Sequence, residues 1–230
     1  MLLYQNQDGF LFNSDSHFLY DFISQLSPKG KILDIGSGCG ILGLLVARDF
    51  KVKLTGIDKQ ENNVFLSQKN AQVNNIDANF FHGDYFKYDF REKFDFIISN
   101  PPYYHDGVSK SQNQSLHISR YNIHLPLENF IQKTCQILKP HGHFIFCYDA
   151  KQIQNILLIL HKFKLTLNTL QFVHGSDKKP SSLVFIHARN NSKALTKILP
   201  PIFPFINGQN SEMVKKIYNK TRTYSIKCSI

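Results

Sequence analysis

No stretch of this 230-residue sequence approaches the ~20 consecutive apolar residues that a membrane-spanning helix needs. The opening residues, MLLYQNQDGF, lack the basic and apolar regions of a secretory signal, so no leader is expected. Cysteine is sparse, and Cys39, Cys135, Cys147 and Cys228 form no CxxC pair. That argues against a zinc site and a disulfide framework, and it fits reduced thiols in a cytoplasmic protein. The 10 histidines show no HExxH or comparable ligand spacing, and nothing demands a metal. Tryptophan is absent, so the aromatic bulk is 20 Phe and 10 Tyr, enough to fill a sizeable core. Acids are few, 17 against 27 Lys and Arg, for a formal net charge of +10. This balance favours a polyanionic partner, although a codon bias toward Lys, Asn, Ile and Phe explains it equally well. Placement favours the partner. From Arg189 onward, Arg189, Lys193, Lys197, Lys215, Lys216, Lys220, Arg222 and Lys227 accompany a single acid, Glu212. Tyr218 and Tyr224 lie among them, for core packing or for stacking on bases.

Short apolar runs alternate with helix-length amphipathic stretches, the signature of a parallel sheet with crossover helices. Strands are expected at 31–35, 52–57, 78–82, 94–99 and 143–148, with a closing pair in LTLNTLQFV and SSLVFIHA. Helices are expected at 41–50, 61–73, 125–138 (stopped by Lys139-Pro140) and about 150–161. An earlier helix, capped by Asp15, runs to about Leu26. The expected fold is α/β, Rossmann-like and doubly wound, with a mostly parallel seven-stranded sheet carrying an antiparallel edge strand. One domain spans 1–230: an N-terminal closing element (1–29), a catalytic core (30–190) and a basic C-terminal segment (191–230).

After the first strand comes Asp34-Ile35-Gly36-Ser37-Gly38-Cys39-Gly40. Glycines permit a tight strand-to-helix turn and close approach of a ligand, and the helix N-terminus behind suits a carboxylate or phosphate. Gly38 to Gly43 also satisfies GxGxxG, so a dinucleotide site is an alternative. Two features favour S-adenosylmethionine (SAM). Asp34 precedes the first glycine, placed to hold an amino-acid moiety, and Asp58 ends the second strand, placed to accept ribose hydroxyls. The latter would serve NAD as well. Asp84, after the third strand, can accept from an adenine amino group. Each Asp alone reads as a cap or turn residue, but together they fall at successive carboxyl ends of strands, where such sheets bind ligands.

The fourth strand runs into Asn100-Pro101-Pro102-Tyr103. Two prolines stiffen the backbone and remove N–H donors, leaving carbonyls free to accept. An exocyclic ring amine is a poor nucleophile because its lone pair is delocalised. Acceptance of its two protons by the Asn100 side-chain oxygen and the Pro101 carbonyl favours a directed lone pair that attacks a sulfonium methyl in line. Tyr103 would stack on the base, a contact worth ~1–3 kcal/mol. A target in a stacked loop must first be flipped out.

Here the sequence resembles the class I SAM-dependent methyltransferases of the NPPY, amino-methylating type. Within them, ISNPPYYHDGV (98–108) and Ser119-Arg120-Tyr121 resemble bacterial tRNA methyltransferases acting on N6 of adenine 37 in valine tRNA. The resemblance covers roughly 30–190 and implies that Asp34, Gly36, Gly38, Gly40, Asp58 and Asp84 bind SAM. It implies a catalytic Asn100, Pro101, Pro102 and Tyr103, with Tyr104 and Arg120 toward a tRNA substrate. A monomer acting on tRNA is expected, with Lys110 and Arg120 in a polar substrate-side loop (104–122). LKPHGHF (138–144) departs from the family's Gly-Gly turn at His141. Phe12-Asn13-Ser14-Asp15 resembles the element that closes over SAM, where Asp15 reads equally as a helix cap. Rival acceptors are guanine in ribosomal RNA, adenine in DNA and the glutamine of a release factor. The last would call for a separate helical N-terminal domain, whereas about thirty residues precede the first strand.

Overall fold

A strand covered on both faces is apolar at every position, and the central strands of this protein show that pattern. Ile32 and Leu33, Ile97 and Ile98, and Phe144 through Cys147 are all fully buried. Along each strand, alternate residues go to opposite sides. Ile32, Ile98, Ile145 and Phe185 join one core cluster, while Leu33, Ile97, Phe144 and Ile186 join the other. The computed structural model describes residues 1–9, 11–101 and 125–229.

The chain begins with strand β1 (Leu2–Asn6) and helix α1 (Ser14–Ser24). The parallel core follows: β2 (Gly30–Ile35), α2 (Ile41–Asp49), β3 (Val52–Asp58), α3 (Glu61–Val73), β4 (Ala78–His82) and β5 (Phe94–Ser99). Beyond residue 124 come α4 (Leu127–Ile137), β6 (Leu138–Asp149), a short 3-10 turn, α5 (Ile153–Lys162), β7 (Leu165–His174) and β8 (Ser181–Asn190). Small strands β9 (Lys197–Ile198), β10 (Phe205–Ile206) and β11 (Gln209–Asn210), helix α6 (Glu212–Thr221) and β12 (Tyr224–Cys228) complete it. The main sheet has the order β4-β3-β2-β5-β6-β8-β7-β9. Helices α1, α2, α3 and α6 contribute to one core cluster, α4 and α5 to the other. The order reverses between β2 and β5, and the carboxyl ends there are where such sheets bind ligands.

The expected doubly wound, mostly parallel architecture is present, and two details differ. Among the described residues the sheet has eight strands, because the two-residue β9 adds to β7. The antiparallel strand is not at the edge: β8 lies between β6 and β7, antiparallel to both. The tight connection 175–180 makes β8 return directly alongside β7, and β8 then fills the space next to β6. At α1 the cap is Asn13, whose side chain accepts from the Asp15 backbone N–H at 3.0 Å; Asp15 sits in the first turn instead. In the slot where the family it resembles carries a Gly-Gly turn, His141 lies within β6, at the register shift against β5, and itself takes the left-handed conformation (φ 59). Two guanidinium N–H groups of Arg189 donate to its carbonyl at 2.8 and 3.2 Å. Gly142 must stay glycine, since a Cβ there would lie 2.7 Å from Leu138. Among the described residues, no helix is long and apolar enough to cross a membrane.

Across β6 and β8 lie two stacked imidazoles. His143 Nδ1 is 3.0 Å from His187 Nε2, with Phe96 stacked on His143 and the Thr169 hydroxyl 3.3 Å from His187 Nδ1. Burial lowers the His143 pKa to about 4 and that of His187 to about 3, with nearby Arg189 adding to both shifts. Both rings are therefore neutral in the fold but take up protons below about pH 6.5 once unfolded. The stability this pair contributes is full above that pH and falls as pH drops toward 4, by at most about 1.4 kcal/mol per pH unit for each ring. We expect the stability of wild type relative to His187→Leu, from denaturant titrations, to shrink between pH 7 and pH 4; a difference that does not change with pH would contradict the assignment.

Candidate functional site

Register brings the carboxyl ends of four strands level. Ile35 of β2 pairs with Ile57 of β3 and with Ser99 of β5, and Asp58 of β3 pairs with His82 of β4. The residues that follow those ends therefore converge: Asp34, Gly36 and Gly38 from β2, Asp58 from β3, Asp84 from β4 and Asn100 from β5 line one cleft. Phe12 and Ser16 of the α1 segment and Leu125 close its sides. The Ser99 hydroxyl donates to the Ile35 carbonyl at 2.7 Å, tying the end of β5 to β2.

The glycines divide by role. Gly36 (φ +66) and Gly38 (φ +55) have nothing within 4 Å of an added Cβ, so they present bare backbone to open cleft. Gly40 (φ +87) caps α2 but is not on the lining; its Cβ would meet Leu44 at 3.0 Å and Ser67 at 3.1 Å, which makes it a packing glycine. Gly43 is also a packing glycine. A methyl there would lie 2.8 Å from Leu54 and 2.9 Å from the Asp34 carboxylate.

The loop was expected to offer N–H groups to a carboxylate or a phosphate, but several of these donors are already used within the fold. The N–H groups of Gly36 and Ser37 donate to the Ile57 carbonyl, that of Gly40 to the Ser37 carbonyl, and that of Gly38 to Asp58 Oδ2 at 2.8 Å. Gly43 N–H donates to Asp34 Oδ2 at 3.0 Å. With its donors turned inward, the loop offers little to an anion. Burial pushes the Asp34 carboxyl up to about 7 against the opposing Gly43 hydrogen bond, with the Asp58 charge adding to the rise. Asp58 is likewise raised by burial. Neither acid has an ion-pair partner among the described residues. A cleft walled by two buried carboxylates suits a ligand with positive charge and hydroxyl donors better than a pyrophosphate. Asp58 also accepts from Gln60 N–H and from the Asn63 amide, so it uses three of roughly four acceptor sites, and Asn63 is the movable donor. The Ser37 hydroxyl, which lines the cleft, is buried and lacks a partner among the described residues.

Asp84 holds a turn, accepting from Phe86 N–H at 2.9 Å while Lys59 approaches its other oxygen at 3.4 Å. Asn100 is clamped from two sides. Its Nδ2 donates to Ser16 Oγ at 3.2 Å, and its Oδ1 accepts from the Cys147 thiol at 2.8 Å. Burial pushes the Cys147 pKa well up, so the thiol stays protonated and remains a donor. The amide oxygen keeps a second lone pair for another donor. Pro101 follows, buried. Pro102, Tyr103, Tyr104, Lys110 and Arg120 lie outside the described residues. Ser16 and Cys147 were missed in the sequence; only their juxtaposition with Asn100 in space singles them out. Phe12 lines the cleft as expected of a closing element, while Asp15 does not.

Gly43→Ala would crowd Leu54 and the Asp34 carboxylate together. We expect a loss of about 1–3 kcal/mol in thermal or denaturant unfolding, and wild-type stability would mean that α2 is free to shift.

The methyltransferase small-domain model matches residues 12–172. A protein of Pedobacter heparinus named tRNA1(Val) (adenine(37)-N6)-methyltransferase is 25% identical over 182 residues, 76% of this chain and 72% of its own. A ribosomal RNA small subunit methyltransferase C of Salmonella arizonae is 40% identical over 92 residues, 39% of this chain and 26% of its own. Among solved structures, a 16S rRNA N2-guanine methyltransferase of T. thermophilus, in complex with AdoMet and guanosine, superposes with a TM-score of 0.57 at 20% identity. That likeness covers 79% of this chain and 44% of the other. A doubly wound sheet with its cleft at the β2/β5 switch, matched over that span, makes this chain a member of the methyltransferase small-domain family.

Proposed function

We propose that this protein transfers a methyl group from SAM to the exocyclic N6 of adenine in tRNA, at position 37 of valine tRNA, in the cytoplasm. SAM is the cofactor of this methyltransferase. The observation that carries the acceptor assignment is Asn100, held at the mouth of the SAM-type cleft with its amide oriented by Ser16 and Cys147.

The residues divide the work. Asp34 and the Ser37 hydroxyl face the place where an amino-acid moiety would lie, Asp58 would take ribose hydroxyls in exchange for Asn63, and Asp84 an adenine amine. Bound there, SAM supplies an electrophilic methyl on a sulfonium. The free lone pair of Asn100 Oδ1 and the carbonyl of Pro101 accept the two protons of the target amine. That withdraws them from the ring plane and leaves the nitrogen lone pair directed for in-line attack; the extra proton leaves afterwards to solvent. Phe12 and Leu125 exclude water from the sides. Tyr103 is assigned to stacking on the base, and Tyr104 and Arg120 to the RNA beyond it.

The tail supports an RNA partner with fewer free charges than its composition suggests. Lys220 is bonded to Asp21 and Ser24, Lys215 pairs with Glu212, and Tyr218 packs on His17 and Phe18. Lys216 and Lys227 remain exposed, as does Tyr224, which at 71% exposure is available for stacking. A second reading places the acceptor in ribosomal RNA, with guanine N2 as the amine; the ribosomal RNA part is favoured by the 40% identity to the Salmonella arizonae protein over its shorter match.

Incubation with isotopically labelled SAM and, in parallel, unmodified tRNA or unmodified ribosomal RNA, followed by nucleoside analysis, separates the two. We expect labelled N6-methyladenosine; labelled N2-methylguanosine in ribosomal RNA, with tRNA unlabelled, would replace the first reading with the second. Asn100→Ala should lower the transfer rate by roughly a hundredfold or more while SAM affinity stays within about twofold. Loss of SAM binding in that variant would place Asn100 in the cofactor site instead.

A further inference from the structure

The two ends of the chain meet in a parallel strand pair outside the main sheet, with Leu2 beside Tyr224 and Asn6 beside Cys228. The other edge of β1 faces α3, and a helix has no spare backbone donors in its interior to complete a ladder. Side chains do so instead. Asn74 accepts from Leu2 N–H at 2.9 Å and donates to the Leu2 carbonyl at 2.6 Å. Asn70 accepts from Tyr4 N–H at 2.8 Å and donates to the Tyr4 carbonyl at 3.0 Å. The spacing permits this: one helical i, i+4 step rises about 6 Å, close to the roughly 6.8 Å between alternate residues of a strand. A carboxamide carries the same donor and acceptor as a peptide group, so the two asparagines act as a third strand.

Two side chains carry this clasp into the cleft. The second amide proton of Asn70, which is fully buried, goes to the carbonyl of Cys39 at 2.8 Å, inside the glycine loop. Gln5 of β1 is 4% exposed; its Oε1 accepts from Phe12 N–H at 2.8 Å, and its amide is hydrogen-bonded to the Ser225 hydroxyl of β12. Cys39 and Phe12 both line the cleft. Its glycine-loop wall and its α1 wall thus hang from the same strand, and that strand is held by the last one in the chain.

We propose that Asn70 and Gln5 are positioning residues of the SAM site, through which the β1–β12 clasp sets the separation of the glycine loop and the Phe12 segment. The inference rests on reading the cleft as the SAM site. Asn70 fixes the loop carbonyl and so the direction of the Gly38 and Gly40 peptides on either side. Gln5 fixes the backbone of Phe12 and so the reach of its ring. Asn74 supplies the internal control, because it joins β1 to α3 without touching either wall.

The test measures SAM dissociation constants by calorimetry, together with unfolding temperatures without ligand, for Asn70→Leu, Gln5→Met and Asn74→Leu in the full chain. With a typical hydrogen bond worth about a 2- to 10-fold change, we expect SAM to bind about tenfold more weakly in Asn70→Leu and several-fold more weakly in Gln5→Met. Asn74→Leu should lose thermal stability yet keep its affinity within about twofold. Affinities that simply follow unfolding temperature across all three variants would overturn the inference, as would wild-type affinity in folded Asn70→Leu and Gln5→Met. Failure of the unaltered protein to bind SAM would instead overturn the reading of the cleft, a result distinct from either.

Discussion

Everything chemical in this molecule depends on the level alignment of four parallel strand ends. Parallel pairing leaves β2, β3, β4 and β5 with their carboxyl ends on one edge, and the registers Ile35–Ile57, Asp58–His82 and Ile35–Ser99 bring those ends to nearly the same height. A slip of one residue in any pair would send every side chain of that strand to the opposite face. Because both faces are apolar, it is the close packing of the two cores that resists such a slip: a shifted strand would drive Ile32 or Ile98 into the space that Leu33 and Ile97 fill. Hydrophobic burial, which is non-directional, is thereby converted into the directional placement of Asp34, Asp58, Asp84 and Asn100.

The elements that were legible in the sequence are the apolar strand runs and the helix-length stretch that separates two of them. The helix from Glu61 to Val73 and the strands Ala78–His82 and Phe94–Ser99 fall at the expected residues. The elements that were not legible have weak local signals. LLYQN at β1 and YSIKC at β12 are short and mixed, and each is a strand only because the other, or an asparagine of α3, completes its hydrogen bonds. The place of β8 was not legible for a different reason: composition identifies a strand but not its neighbours. The chemistry of the site divides in the same way. Asp34, Asp58, Asp84 and Asn100 are visible because each stands at the end of a run, whereas Ser16 and Cys147 meet Asn100 only across long separations. Gly40 and Gly43 show the limit of motif reading, since both are glycines for packing behind the loop and not for contact within it.

The clamp on Asn100 illustrates how a polar site is kept single-valued inside an apolar shell. A primary amide has two nearly isosteric orientations, and in a cleft the wrong one would present N–H groups where an acceptor is needed. The hydroxyl of Ser16 on one side and the thiol of Cys147 on the other favour one orientation, the second because burial keeps the thiol protonated. Ser16 is held in turn by the Asn13 cap of α1, and α1 is held by α6 through Tyr218 and by the Lys220–Asp21 pair. Through Lys220 and Tyr218, the tail helix therefore braces the α1 wall of the cleft.

The buried carboxylates give the strongest argument about what enters the cleft. Asp34 is 1% exposed and Asp58 7%, and holding both ionised costs the unliganded fold free energy. For Asp34 the sign is clear: burial raises its pKa to about 7, so between the unfolded value near 4 and about pH 7 its ionisation weighs increasingly against folding. Such a cost is tolerated where strain serves a site. A pyrophosphate would add to it, bringing negative charge to two acids while the loop N–H groups point elsewhere. A ligand with an ammonium and a sulfonium would offset it, because its charges favour the ionised acids and its hydroxyls fill the acceptor sites that remain. The same GxGxxG spacing thus serves opposite electrostatics according to where the loop donors point, and here the inward turn of Gly38 toward Asp58 selects the cationic ligand.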